Sequence, residues 1–426
     1  MAKAIFEIDS DNFLLKAINW SKEIGTVCLF QSNGFHNKYS KLGSLLAIGA
    51  QEEFSATVGS VFPELQKFKS RYPNQLVPGF LSYDLKNEIE ELKTEHPNPL
   101  KFPDAYFFVP KILLDISKNS VEISAENPKE VYEAINQCEP LDIRYKFKGN
   151  ISPRMDRELY FEAFSHIQDH IRQGDIYEAN LCQEFYDDDA ELSNPEGLYL
   201  ALNKISPTPF SSFIKIKDKY IISASPERFL AKRGNTLISQ PIKGTAPRGK
   251  NEIEDNALRD NLANNPKEIA ENVMIVDLVR NDLTRSAVPG SVEVTEKLGI
   301  YSFEHVHQMI STVSCQVDPS LTSTEVIRNT FPAGSMTGAP KISAMKLCDQ
   351  YENSRRGVYS GAIGYFADDN DFDFNVVIRT ILFNKNQKYL SFHTGSAITI
   401  DANAENEFAE CYTKASAILK ALEQKI

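Results

Sequence analysis

Glu227 and Lys243 stand sixteen positions apart, each in a turn-forming stretch, and together they constrain the fold more than any other feature of the chain. Glu227 lies in Ser223-Ala224-Ser225-Pro226-Glu227-Arg228-Phe229, and Lys243 in Pro241-Ile242-Lys243-Gly244-Thr245-Ala246-Pro247-Arg248-Gly249. The spacing suits strand, turn and strand, which brings the two side chains together on neighbouring strands. An ammonium between an apolar Ile242 and a glycine turn is either exposed or partly desolvated, and desolvation lowers its pKa toward a nucleophilic amine. Taken alone, a lysine in a Gly/Pro loop is most often a solvated surface charge. Beside a carboxylic acid it becomes half of an acid–base pair.

The clearest organisational break falls at Lys146-Phe147-Lys148-Gly149-Asn150-Ile151-Ser152-Pro153-Arg154, dividing an N-terminal region, 1–148, from a larger part, 149–426. Before the break, Val77–Asp84 and Ala105–Pro110 read as aromatic strands, and Lys111–Ser124 alternates as a hairpin does. After it, Leu159, Phe161, Phe164, Ile167 and Ile171 give Asp156–Gln173 a helical spacing that stops at Gly174. Pro266 opens a second helix that runs toward Arg285, and Ala404–Gln424 forms a third.

Glu268 and Glu271 share a face of the second helix, and Glu407 and Glu410 repeat the spacing on the third. Magnesium prefers hard oxygen ligands, taking one or two carboxylates and completing its shell with water and substrate oxygens, so two facing glutamate pairs suit it. On spacing alone, solvated acidic faces are the commoner outcome. Phe331–Lys341 is a glycine-rich turn leading toward a helix. Its spacing fails the Walker pattern, yet such a turn presents backbone N–H groups to an anion. Arg379 sits amid apolar residues in a strand read over Phe374–Leu382, where a guanidinium needs a carboxylate partner.

A hydrophobic content of 42% over 426 residues is enough for a large core. The formal net charge of -12 argues against nucleic-acid or anionic-membrane surfaces, and means that an anionic substrate needs a locally positive pocket. The six cysteines are scattered without close pairs, so neither a zinc motif nor a disulfide framework is expected. Charge interrupts Met1–Asp9 before any signal-peptide core, and no stretch approaches the ~20 apolar residues that span a bilayer, so a cytoplasmic location is expected.

The turn Pro241–Thr245, the segments Ala270-Glu271-Asn272 and Val276–Asp282, the loop Gly334–Lys341 and Ile378-Arg379-Thr380 together resemble the chorismate-utilising enzymes, over residues 150–426. That family includes the anthranilate, aminodeoxychorismate, isochorismate and salicylate synthases. The resemblance implies an α/β fold of the α+β type, with antiparallel sheets packed as a sandwich and helices outside, the N-terminal region packing on the catalytic part. It implies Mg2+ held by Glu271 and Glu410, with Glu268 and Glu407 in support. Further implied are contacts of Thr337 and Gly338 with the ring carboxylate, and of Tyr365 and Arg379 with the enolpyruvyl carboxylate. Gly244, Thr245 and Gly395 complete the implied substrate contacts, while Lys341 is open to structural pairing with a carboxylate. No Leu-Leu-Glu-Ser-like signature is present, so tryptophan feedback is not expected.

Two departures stand out: Gln308 occupies a place where family members carry histidine, leaving His307 as a displaced neighbour, and Ser396 adds a side chain to the turn at Gly395. Within the family, anthranilate synthases usually have alanine where this chain has Lys243, and aminodeoxychorismate synthases commonly have lysine. Isochorismate and salicylate synthases carry a water-activating lysine where this chain has Glu178. The expected activity is therefore that of an aminodeoxychorismate synthase subunit: chorismate plus ammonia gives 4-amino-4-deoxychorismate, toward p-aminobenzoate and folate, through a covalent lysine intermediate. Lys243 is the expected nucleophile, made neutral by cationic and apolar surroundings, and Glu227 the general acid. No glutaminase nucleophile is present, so a separate glutamine amidotransferase subunit is the implied ammonia source. An anthranilate synthase component I and a silent chorismate-binding scaffold stay open as alternatives.

Overall fold

The computed structural model describes residues 1–35, 38–41, 43–304 and 306–424. Every strand pairing in it is antiparallel. One run of strands passes from Glu178–Asp187 through Tyr389–Ile398, Thr380–Asn384, Lys219–Ser225 and Phe210–Ile216 to Thr26–Gln31 and Ser44–Ala56. A second passes from Ala105–Ile116 through Val77–Leu81, Ala362–Phe366, Phe372–Val376, Arg228–Arg233 and Thr236–Gln240 to Val306–Gln316. The two long strands Ser44–Ala56 and Ala105–Ile116 pair with each other and carry the ladder from one run into the other, with a register shift between Ala50 and Glu52. A shift of this kind bends a strand, which lets one pair serve both sheets. Strands from both sides of residue 148 thus share one hydrogen-bonded network.

Between the two runs lies a buried layer in which Cys28, Ile214, Ile221 and Leu382 of the first meet Phe80, Ile363 and Val377 of the second. On the outer face of the first run, Phe13, Ala17, Ile135, Leu198, Leu202 and Ile418 of four helices cover strand residues such as Phe213 and Phe392. On the outer face of the second, Phe62, Leu65, Val276, Val279 and Val326 do the same. The result is an antiparallel sandwich with helices outside, as the sequence implies.

The helix ends follow local chemistry. Asp156 accepts from the Leu159 N–H at 2.9 Å to begin Arg157–Gln173, and Gly174 closes it at φ 85°. Asn265 caps Pro266–Thr284 by accepting from the N–H groups of Lys267 and Glu268, with Pro266 in the first turn where its missing donor is not needed. Asn403 caps Ala404–Ala421. Among the described residues no helix is long and apolar enough to cross a membrane.

Candidate active site

Arg228 pairs with Gln240, so the hairpin carries Glu227 to the level of Pro241, two residues before Lys243. Glu227 is buried, and burial pushes its carboxyl up to about 7, against the opposing pull of the Ser335 hydroxyl, the Lys243 ammonium and the Ile242 N–H. A carboxyl in that range is protonated often enough at neutral pH to act as a general acid.

Lys243 sits on the strand Ile242–Pro247, inside a register shift between the pairs Ile242–Ile310 and Thr245–Gln308. The shift, with Gly244 at φ 95°, turns the lysine out of the ladder. Its Nζ donates to Glu178 Oε1 at 2.9 Å, and the two side chains are only 11% and 4% exposed. Burial by itself lowers the lysine pKa, but Glu178, Glu271 and Glu227 more than offset it and hold the ammonium well above the usual lysine range. The expectation of a neutral Lys243 in cationic surroundings is therefore corrected: the neighbouring charges are carboxylates, and the resting side chain is an ammonium.

Pro266–Thr284 and Ala404–Ala421 bring their glutamates toward one another, with the Lys267 ammonium between them, 3.8 Å from Glu271 Oε1 and 3.4 Å from Glu407 Oε1. Burial raises Glu268, Glu407 and Glu271, the last to about 7, and neighbouring carboxylates add to the effect. Glu410 is lowered instead: burial pushes it up, but Lys414, 2.7 Å away, together with Lys267 and Lys243 more than offsets that. Among the described residues no three acidic, histidine or cysteine side chains are close enough to form a ready-made metal cage. The donors are nevertheless all hard oxygens in surplus over the cations beside them, which fits Mg2+, an ion content with one or two carboxylates. A Cβ on Gly244 would lie 3.0 Å from Glu268 Oε2, so the lysine turn and the acidic helix are in close contact.

Thr337 is buried, with its hydroxyl donating to the Gly334 carbonyl at 3.0 Å. Gly338 adopts φ 146°, and a Cβ there would stand 2.1 Å from the Glu178 carbonyl, so only glycine fits. Arg356 fastens this loop by donating to the carbonyls of Met336 and Asn180 at 2.7 and 2.8 Å while paired with Glu352. Lys341 pairs with Asp282 at 2.8 Å, the structural pairing left open by the sequence.

Arg379 departs from its expected setting in two respects. The strand read over Phe374–Leu382 is broken: Phe372–Val376 ends, Thr380–Asn384 begins, and Arg379 lies between them at φ 51°. No carboxylate among the described residues lies within ion-pair distance of its guanidinium, and burial holds its pKa below the usual arginine range. Tyr365 also lies elsewhere than the resemblance implies. It pairs with Asp373, six residues before Arg379, and lines a separate cavity with Phe30, Lys41, Phe210 and Arg228. The Ser360 N–H donates to the Val377 carbonyl at 2.8 Å, so the chain that follows Tyr359 meets the chain that leads to Arg379.

A Cβ on Gly395 would lie 2.6 Å from Cys182 Sγ, so its lack of a side chain serves packing against Glu178–Asp187. Ser396 meets the Tyr160 hydroxyl at 3.0 Å and also hydrogen-bonds Glu407. Thr245 is exposed, opposite a buried Gln308 whose Oε1 has no hydrogen-bond partner among the described residues. His307 is engaged with Ser302 and Asp255, at 2.8 and 3.1 Å.

Three site residues escaped the sequence reading. Glu178 was noted only for the lysine it replaces. Lys414 was signalled by its place one turn beyond Glu410, and it also donates to the Gly395 carbonyl at 2.8 Å. Asn272 is buried, donates to the Lys243 carbonyl at 3.4 Å and accepts from Ser311 at 2.6 Å, tying the acidic helix to the lysine turn.

Residues 27–420 match the chorismate binding enzyme family, and the chain belongs to it. It is similar to aminodeoxychorismate synthase component 1 of Escherichia coli (strain K12), 34% identical over 351 residues that cover 81% of this chain and 76% of that one. It is as similar to anthranilate synthase component 1 of Thermus thermophilus, 34% identical over 365 residues, 82% of this chain and 77% of that one. Among solved structures, anthranilate synthase component I from Streptococcus pneumoniae TIGR4 superposes with a TM-score of 0.76 at 27% identity, over 90% of this chain and 95% of that one. The Escherichia coli menaquinone-specific isochorismate synthase MenF, 14% identical, shares the fold with a TM-score of 0.77, covering 99% of this chain and 94% of that one.

Proposed function

We propose that this chorismate-binding enzyme is the synthase subunit of an aminodeoxychorismate synthase, aminating chorismate at the carbon that loses its hydroxyl, with ammonia supplied by a separate glutamine amidotransferase. The observation that carries this reading is that a buried Lys243 ammonium and a Glu227 carboxyl poised near neutrality face one another at the open end of one hairpin. Arg379, with no carboxylate among the described residues within ion-pair distance, supplies a cation for a substrate carboxylate. Glu271 and Glu410, supported by Glu268 and Glu407, would hold Mg2+, which when bound neutralises the ring carboxylate and eases loss of the allylic hydroxyl.

Glu227 protonates the departing hydroxyl as Lys243 attacks the ring. Ammonia then adds where the oxygen was and expels the lysine. The anthranilate synthase reading draws on the equal identity to the Thermus thermophilus protein. The two are separated by mass-resolved product analysis with chorismate, Mg2+ and an ammonium salt, with and without a chelator. Chelator-sensitive aminodeoxychorismate is the expected product; anthranilate would overturn the reading, and unchanged chorismate would point to a binding role.

A further inference from the structure

Glu178 opens the strand Glu178–Asp187, and its hydrogen bond to Lys243 is the one that either side chain makes among the described residues. The backbone around it is fixed. Ala339 pairs with Glu178, Gly338 packs against its carbonyl without room for a Cβ, and the Tyr177 N–H donates to the Ala339 carbonyl at 2.7 Å. A buried carboxylate on a strand held this firmly has its oxygen aimed at a single donor.

Four other carboxyls feel the charge of the lysine, Glu268 and Glu271 from the helix Pro266–Thr284, Glu410 from Ala404–Ala421 and Glu227 from the hairpin, but none of them hydrogen-bonds Nζ. Glu271 is directed toward Lys267, and Glu227 already has the role of acid. We infer that Glu178 is the proton acceptor that converts Lys243 into a nucleophile, and the donor that restores it. The inference rests on the amination reading above.

The proton balance closes. Lys243 passes one proton to Glu178 and attacks the ring as a neutral amine, becoming a secondary ammonium. The allylic C–O bond breaks as the double bonds shift, and the hydroxyl leaves as water with the proton of Glu227. Ammonia forms the new C–N bond as the lysine C–N bond breaks, and the added nitrogen gives a proton to the Glu227 carboxylate. Glu178 then returns its proton to Lys243. The sum is chorismate plus ammonia to aminodeoxychorismate plus water.

The test compares wild type, Glu178→Gln and Glu178→Asp in the full chain with chorismate, Mg2+ and ammonium across a range of pH. Glu178→Gln is expected to lower kcat about 100-fold with KM nearly unchanged, the order that a lost general base costs. Its residual rate should climb with pH as solvent hydroxide takes over, and Glu178→Asp should recover part of kcat. A Glu178→Gln protein with wild-type kcat and pH profile, or one impaired only in KM, overturns the inference. Wild-type protein that makes no aminodeoxychorismate defeats the amination reading instead. In that case the titration of Lys243, followed by NMR on lysine-labelled protein and assigned with Lys243→Arg, decides. A fall of about one pKa unit in Glu178→Gln supports the proton pairing, and an unchanged titration overturns it.

Discussion

The Lys267 ammonium lies 3.4 Å from Glu407 Oε1 and joins the helix Pro266–Thr284 to Ala404–Ala421 where four glutamates converge. It stands beside the oxygens proposed for the metal, so a cation entering there competes with it. Lys267→Met is therefore expected to bind Mg2+ more tightly than wild type, read as a larger rise in Tm on adding Mg2+. Glu271→Gln combined with Glu410→Gln should abolish that rise and the chelator sensitivity together.

Glu227 gives a pH prediction whose sign follows from its burial. Its folded pKa, about 7, exceeds the ordinary carboxyl value of 4.5, so between those values the folded state binds more protons than the unfolded one. Stability consequently falls as pH rises through this window, by about 3 kcal/mol in all at 1.36 kcal/mol per pKa unit. Glu227→Gln removes the penalty, so its gain in Tm over wild type should be larger at pH 8 than at pH 5. Activity should run the other way: wild type loses kcat/KM above about pH 7 as the acid ionises, and Glu227→Gln is slow at every pH.

The pairing of Lys341 with Asp282 joins the start of the helix Lys341–Tyr351 to the end of Pro266–Thr284, with both side chains less than a tenth exposed. Removing one member leaves a buried charge without its partner, a loss of about 3–5 kcal/mol. Lys341→Met should show a loss of that size in denaturant unfolding. The double variant Lys341→Met with Asp282→Leu should recover most of it, which a purely catalytic lysine would not do.

What the sequence made legible was chiefly local. The stop of Arg157–Gln173 at Gly174 and the start of Pro266–Thr284 at its proline depend on residues a few positions away, and the Glu-x-x-Glu spacing is visible on any helix. The charge state of Lys243 was not legible, because its partner lies 65 positions earlier on a strand whose register no short motif reveals. Tyr365 was misplaced for a related reason. Only the pairing of Ala362–Phe366 with Phe372–Val376 shows that Tyr365 lies opposite Asp373, while the end of the ladder nearer Arg379 is the one at Ala362. The joining of the two runs of strands through Ser44–Ala56 and Ala105–Ile116 rests on a shift within a long strand, which alternation in the sequence does not display.

Arg379 separates recognition of substrate from support of the fold. Its guanidinium is largely desolvated and has no carboxylate among the described residues within ion-pair distance, so the folded chain holds this charge at a cost that a bound carboxylate would offset. Arg379→Gln should then leave Tm unchanged or raise it, whereas breaking a structural ion pair would lower it. If the arginine holds a carboxylate equally in the bound substrate and in the transition state, KM for chorismate should rise by about 10- to 100-fold with kcat little changed, the span that a lost charged hydrogen bond of about 1.5–3 kcal/mol produces. Thermal unfolding and steady-state kinetics on the same preparation check both arms. A fall in Tm with unaltered KM would assign Arg379 to the scaffold and leave the enolpyruvyl carboxylate to another cation.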